Sequence, residues 1–302
     1  MNKLNQKILF LSGFIIMLLG ACEAPDQKYV EAPFTKLDTL ATNDWWNRKA
    51  SKIINMKVPR DQTVAFGIYT ASNNKLKLSA QLFPLYPKET RTVRLELFQK
   101  DQWKEVQTQQ VNEIGWAAFF QIEDWDMNKS VKYRILHGEN ARFEGTIRKD
   151  PVDKNEISMA ALSCNSNKDR GAREKYVKNI NALNPDLVFF AGDQSYDHKE
   201  HTAAWLKFGM QFREVFRHRP CVTIPDDHDI GQGNLWGESG KKSMRNDGND
   251  GGYFFNPEYV KMVERAQTTH LPDAFHHAPL EQGINTYFTS LKIGAVEFAI
   301  IE

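Results

Sequence analysis

"LVFFAGDQSYDH" (187–198) decides how this sequence folds. An unbroken apolar run that ends in Gly192 and Asp193 reads as a strand buried on both faces, delivering polar side chains at its C-terminal end. The pattern recurs on either side. "MAALSCNSN" (159–167) precedes it and "CVTIPDDHDIGQGN" (221–234) follows it. Between the first two runs, Tyr176, Val177, Ile180 and Leu183 recur at helical spacing, and Pro185 stops that helix. Trp205, Phe208, Phe212, Val215 and Phe216 do the same over 201–218. Alternating strands and helices predict a parallel sheet, and open α/β sheets assemble their sites outside the carboxyl ends of the strands. Clusters of Cys, Asp, Tyr, His and Asn on successive strands therefore predict one site built from three loops.

Upstream the period is two. "TVAFGIYT" (63–70), "KLKLSAQLF" (75–83) and "RTVRLELF" (91–98) alternate, and shorter runs follow at 115–122, 131–137 and 142–147. Six or seven short alternating strands predict a β-sandwich. "RKDPVDKNE" (148–156) marks its end. Residues 61–149 are thus read as the sandwich and 150–302 as the α/β part. Downstream, the Gly-, Asn- and Asp-rich stretch 231–256 is predicted to be a long loop over the site. A helix over 258–269 and a strand at "GAVEFAII" (294–301) follow.

The N-terminus points to export. Lys3 and Lys7 precede "ILFLSGFIIMLLG" (8–20), which is shorter than the ~20 apolar residues of a transmembrane helix and fits the apolar core of a secretory signal. "LGAC" (19–22) resembles a bacterial lipobox, in which Cys22 is acylated and becomes the mature N-terminus. That reading makes 1–21 a lipoprotein signal peptide and 22–60 a tether and lead-in segment. It places the protein in the bacterial cell envelope, anchored to the membrane through its N-terminal lipid and facing the periplasm or the cell surface. The formal net charge is +1, with no block of like charge, so nothing indicates nucleic-acid affinity.

Two further cysteines, Cys164 and Cys221, fall at the end and at the start of their predicted strands, which are opposite ends of a parallel sheet. That separation exceeds the ~7 Å between Cα atoms that a disulfide tolerates. Cys164 is expected to be a thiol beside Asp193 and the Asp226–Asp227 pair, and Cys221 a core residue.

A carboxylate at a strand end followed within a turn by a phenol is a clamp for hard cations. Asp193 can bridge two ions and Tyr196 can add an anionic oxygen to one; a Cys164 thiolate favours a transition metal there. Two ions ~3.5–4 Å apart hold the attacking and leaving oxygens of a phosphoryl transfer. His228 can protonate the leaving group or contact a phosphate oxygen.

The order Ser163-Cys164, Gly192-Asp193-x-x-Tyr196 and Asp226-Asp227-His228-Asp229 resembles the PhoD-type alkaline phosphatases within the calcineurin-like metallophosphoesterases. The resemblance runs over roughly 60–302. It implies an all-β sandwich followed by part of an α/β metallophosphoesterase domain of the αββα type. It implies an exported hydrolase cleaving phosphate monoesters or diesters with metal-activated water. Cys164, Asp193 and Tyr196 would hold iron. Asp193 would bridge to calcium or another divalent ion, and Asp227 would bind that second metal. His228 would act with Asp193 at the phosphate. Asn234 in "GQGNLWG" would be a metal ligand or substrate contact. The wider superfamily has Gly-Asn-His-acid where Asp226 and Asp227 stand, which leaves open which carboxylate points at metal.

Family members continue past the strand matching "VEFAIIE" with an Asp-Arg pair and a late Gly-Asp-x-His segment. The expectation is that these 302 residues are the N-terminal part of a longer enzyme and by themselves hold metal weakly and show little or no phosphatase activity. An alternative of a different class is a non-catalytic surface lipoprotein whose sandwich binds a glycan or a protein. An in-frame downstream continuation would separate the two.

Overall fold

A computed structural model describes residues 40–42, 45, 51–166, 172–198 and 200–302. The expected signal peptide and Cys22 lie outside them. Over 61–149 the chain forms β1 (Val64–Ser72), β2 (Lys75–Leu82), β3 (Thr92–Gln99), β4 (Gln102–Gln110), β5 (Ala117–Ile122), β6 (Val131–His137) and β7 (Ala141–Ile147). They make two antiparallel sheets, ordered β1-β2-β5 and β4-β3-β6-β7. Asn73 and Asn74 both have positive φ, 50° and 59°, in the two-residue turn between β1 and β2. That is the backbone a type I′ hairpin turn requires, and asparagine tolerates it. The sheets face each other across a shared core. Ile68, Leu78 and Phe120 of one and Leu95, Tyr133 and Phe143 of the other are buried together.

β4 is absent from the expected strands. "QWKEVQTQQ" pairs along all of β3 but lies on the sheet edge, exposed or half-exposed at every position. Without a buried face it carries no apolar alternation to read.

The second part begins with β8 (Met159–Leu162), β9 (Leu187–Ala191) and β10 (Cys221–Ile224), hydrogen-bonded in parallel in that order. Helices α1 (Arg173–Leu183) and α2 (His201–Phe216) are the crossovers. α2 covers β9 with an aromatic stack: Phe190 lies 5.0 Å from both Phe208 and Phe212, centroid to centroid, at steep angles. The same stripe reaches the antiparallel sheets, with Phe66 of β1 5.6 Å from Trp205 and from Phe216. Each such edge-on pair contributes about 0.5–1.5 kcal/mol beyond its area. One apolar cluster thus runs from the antiparallel sheets through α2 to the parallel sheet.

After β10 come a one-turn helix α3 (Asp227–Ile230), helix α4 (Pro257–Thr268) and an antiparallel hairpin of β11 (Phe288–Ile293) and β12 (Val296–Ile301). Asn256 caps α4, its side chain accepting from the Glu258 N–H at 2.9 Å, with Pro257 in the first turn. Cys221 opens β10 fully buried, while Cys164 lies exposed past the far end of β8; both are free thiols. No helix among the described residues is long and apolar enough to cross a membrane.

Two buried histidines make the fold acid-sensitive. His270, whose Nε2 lies 3.0 Å from the Cys221 carbonyl, and His201, at the start of α2, are each held down to about pKa 3 by burial. Both rings are neutral when folded and charge near 6.5 when unfolded. Their stabilisation is complete above about pH 6.5 and is lost as pH falls towards 3. Melting temperature is expected to fall steadily from pH 7 to about 4. His270→Gln should flatten that slope by an amount worth several kcal/mol over the range, on the order of 1.4 kcal/mol per pH unit. An unchanged slope would show that His270 does not contribute.

Candidate metal centre

The three loops expected to converge do so, and the backbone shows the cost of bringing them together. β9 ends at Ala191, and Gly192 and Asp193 follow at φ 79° and 57°. A Cβ on Gly192 would stand 2.5 Å from the Asp226 Cβ, so only glycine lets the loops after β9 and β10 touch. Cys164 and Asn234 also have positive φ, 57° and 60°. Non-glycine residues held in this region cost on the order of 1 kcal/mol each and concentrate where a side chain must be aimed.

Asp193 is the hub. It is buried, and its Oδ2 accepts from the Tyr196 hydroxyl at 2.6 Å and from the Cys164 thiol at 3.5 Å. Its Oδ1 is buried with no hydrogen-bond partner. A carboxylate oxygen removed from water without a donor is costly unless a cation takes the place of one. Asp193, Asp227 and His228 each present a donor atom, all within 4.8 Å of one another. The Tyr196 phenol is pushed well above its ordinary range, first by burial and then by its bond to Asp193. It is a neutral donor here and would need a cation to become a phenolate.

The loops are braced by backbone. The Asn165 N–H donates to the Asp193 carbonyl at 2.8 Å, and Asn165 Nδ2 donates to the Gln194 carbonyl at 3.1 Å. Asp229 ties the β9 and β10 loops together, accepting from the Gln194 N–H at 2.9 Å and the Asp226 N–H at 3.1 Å. Burial raises the Asp229 carboxyl to about 7.

The two adjacent aspartates take different roles. The Asp226 side chain is the N-cap of α3, accepting from the Asp227 N–H, and forms a capping box with Asp229. Asp227 joins the cluster with Asp193, held by N–H donors from His228 at 2.7 Å and Asn234 at 2.8 Å. Asn234 is exposed, and this main-chain bond is what places it at the site.

One residue at the centre has no role in the sequence reading. His198 Nε2 lies 2.7 Å from His228 Nδ1, the two rings stacked at 4.9 Å, with the Tyr196 ring 4.1 Å from His228 on the strength of the same loop. A lone histidine past the end of a motif gives no signal until the loop's path is known. Asp229 was missed as well, although Asp-x-x-Asp before Ile230 is a capping-box pattern.

The chain has a PhoD-type fold. It superposes on the structure of PhoD with a TM-score of 0.60 at 16% identity, over 80% of this chain and 52% of that one. It superposes on purple acid phosphatase PPD1 from yellow lupin (Lupinus luteus) seeds with a TM-score of 0.52 at 12% identity, over 78% of this chain and 44% of that one. The chain thus spans about half the length of the PhoD structure, 52%. No protein-family model matches the sequence. No curated protein matches it either.

Proposed function

We propose that this chain belongs to an exported metal-dependent phosphoesterase, an N-terminal β-sandwich followed by the first part of an αββα catalytic domain. The observation that carries the reading is the unpartnered, buried Oδ1 of Asp193 at the meeting point of Asp227 and His228, with a thiol and a phenol already on Oδ2. This donor set suits two unlike ions. Cys164, Tyr196 and Asp193 would hold iron, and Asp193 and Asp227 calcium or another divalent ion. Bound ions there supply positive charge against the phosphate oxygens and make water acidic enough to act near neutral pH.

The chain's own residues do the rest. His198 engages His228 Nδ1, which leaves Nε2, 4.0 Å from Asp227 Oδ1, to meet a phosphate or leaving-group oxygen. The Asn234 and His228 main-chain donors fix the Asp227 carboxylate so that both oxygens cannot swing away from the centre. Gly192 keeps the β9 and β10 loops in contact, which holds Asp193 beside the Asp226–Asp227 segment. Release of p-nitrophenol from its phosphate mono- or diester, abolished by chelation and restored by added metal, is the expected behaviour of the whole enzyme. Metal-independent turnover would overturn the reading.

Export and anchoring rest on the sequence at 8–22. Cys22→Ser is expected to abolish labelling by a fatty-acid probe and to leave an unprocessed precursor. Unchanged partitioning of that variant into membranes would exclude the lipid anchor.

A further inference from the structure

Beside the metal centre, the loop after α3 opens a cleft of about 310 Å³ that the proposed chemistry does not use. Asp227, Trp236, Tyr253, Glu238 and Leu235 are among the residues that line it. Trp236 is 75% exposed, yet it is not a free side chain. Its main-chain N–H donates to the Gly251 carbonyl at 3.0 Å, and the Gly237 N–H donates to the same oxygen at 3.2 Å, which fixes the backbone from which the indole projects. The indole lies directly on Gly251, where a Cβ would come within 2.4 Å of Trp236 Cε3 and 2.8 Å of Cδ2. The glycine backs the ring, so the indole is a platform fixed before any ligand arrives.

The charge around this platform has one sign. Asp226, Asp227, Glu238 and Glu302 all line the cleft. Among the described residues no lysine, arginine or histidine lines it. A second phosphate or a carboxylate on the organic part of a substrate would be repelled. A neutral alkyl group would leave the acidic lining without a counter-charge. A compact cation satisfies both features, held by the face of the indole and by the acidic lining.

We propose that this cleft binds the ammonium-bearing part of the substrate, so that the preferred phosphate esters carry a cationic alcohol as leaving group. The word substrate rests on the phosphoesterase reading; the binding of the cation does not. Asp227 belongs both to the cleft lining and to the cluster with Asp193, so the cleft adjoins the metal centre.

The test is direct binding to the full chain without turnover. Choline and its neutral isostere 3,3-dimethyl-1-butanol are titrated in separate calorimetric or saturation-transfer NMR experiments, with and without added metal. Choline is expected to bind at least about tenfold more tightly than the isostere, the factor that 1.4 kcal/mol represents. Trp236→Leu should weaken choline about tenfold and Trp236→Phe much less, because phenylalanine keeps a π face. Gly251→Ala, which pushes the ring off its backing, should weaken choline while Trp236 is still present. Thermal melts identify any variant that fails to fold, and the choline-to-isostere ratio in the parent chain needs no variant at all. Equal binding of the two ligands, no saturable choline binding, or choline binding indifferent to Trp236→Leu in a folded variant would each overturn the proposal. Specific choline binding in a protein that never shows phosphoesterase activity would instead retire the catalytic reading and leave the cleft standing.

Discussion

Asp193→Asn is expected to abolish metal binding while the fold persists. Asparagine, like aspartate, tolerates the left-handed backbone at this position, φ 57°. Its carbonyl can occupy the Oδ2 position and keep the bonds from Tyr196 and Cys164. Its amide then places an N–H donor where Oδ1 now offers lone pairs to a cation. Loss of an outer partner of a metal ligand costs about 10–100-fold in affinity. Loss of the shared ligand itself should cost more than about 100-fold. Without metal, the variant should melt no lower than the parent, because the unpartnered buried charge is gone. With metal, the parent should gain stability by mass action, about 2.7 kcal/mol when the ion is at 100 times its Kd, and the variant should gain none. Isothermal titration and melting with and without metal check both statements.

Gly145→Ala should be among the most damaging single substitutions away from the site. Gly145 of β7 opposes the end of α2, where an added Cβ would stand 2.0 Å from the Arg217 carbonyl oxygen and 2.8 Å from Tyr133 Cε1. That oxygen cannot retreat easily, because it accepts from the Thr146 N–H at 2.8 Å. Arg217 Nη1 returns a bond to the Glu144 carbonyl at 2.6 Å. The contact joins the antiparallel sheets to the helix that covers β9. Replacing a strand glycine normally gains roughly 0.5–1 kcal/mol. Overpacking against backbone costs about 1–3 kcal/mol and occasionally more, so the clash wins. A fall in melting temperature of roughly 5–10 °C is expected. An unchanged melting temperature would show that β7 and α2 are not in backbone contact.

The parts of this fold that could be read from sequence are those in which burial leaves a period or an unbroken apolar run. β9 and β10 are buried on both faces and end in glycine or proline, so their ends, and the side chains just beyond them, are placed within a residue or two. β8 reads the same way in sequence although Met159 is exposed on the free edge of its sheet. β4 could not be read, because an edge strand with polar residues on both faces has no alternation. β11 was missed for a related reason: "FTSLKI" alternates over only Thr289, Leu291 and Ile293.

The site divides along similar lines. Cys164, Asp193, Tyr196, Asp227 and His228 each follow directly from a strand end and are brought together. His198 depends on how the loop after Tyr196 doubles back to His228, which no local spacing encodes. The distinction between Asp226 and Asp227 is a matter of capping geometry. Asp226 turns its carboxylate onto the α3 N-terminus, and that leaves Asp227 facing Asp193.

The most direct test of the metal centre is anomalous diffraction from crystals of this chain soaked in millimolar iron and calcium. An ion is expected within ~2–2.6 Å of Asp193 Oδ1, the coordination range of carboxylate oxygens, with Asp227 also in contact. Tyr196 and Cys164 should share the iron, and Tyr196→Phe should remove the visible absorption that a phenolate gives on ferric iron. Well-ordered crystals with no anomalous peak at Asp193, or with metal bound only elsewhere, would contradict the account.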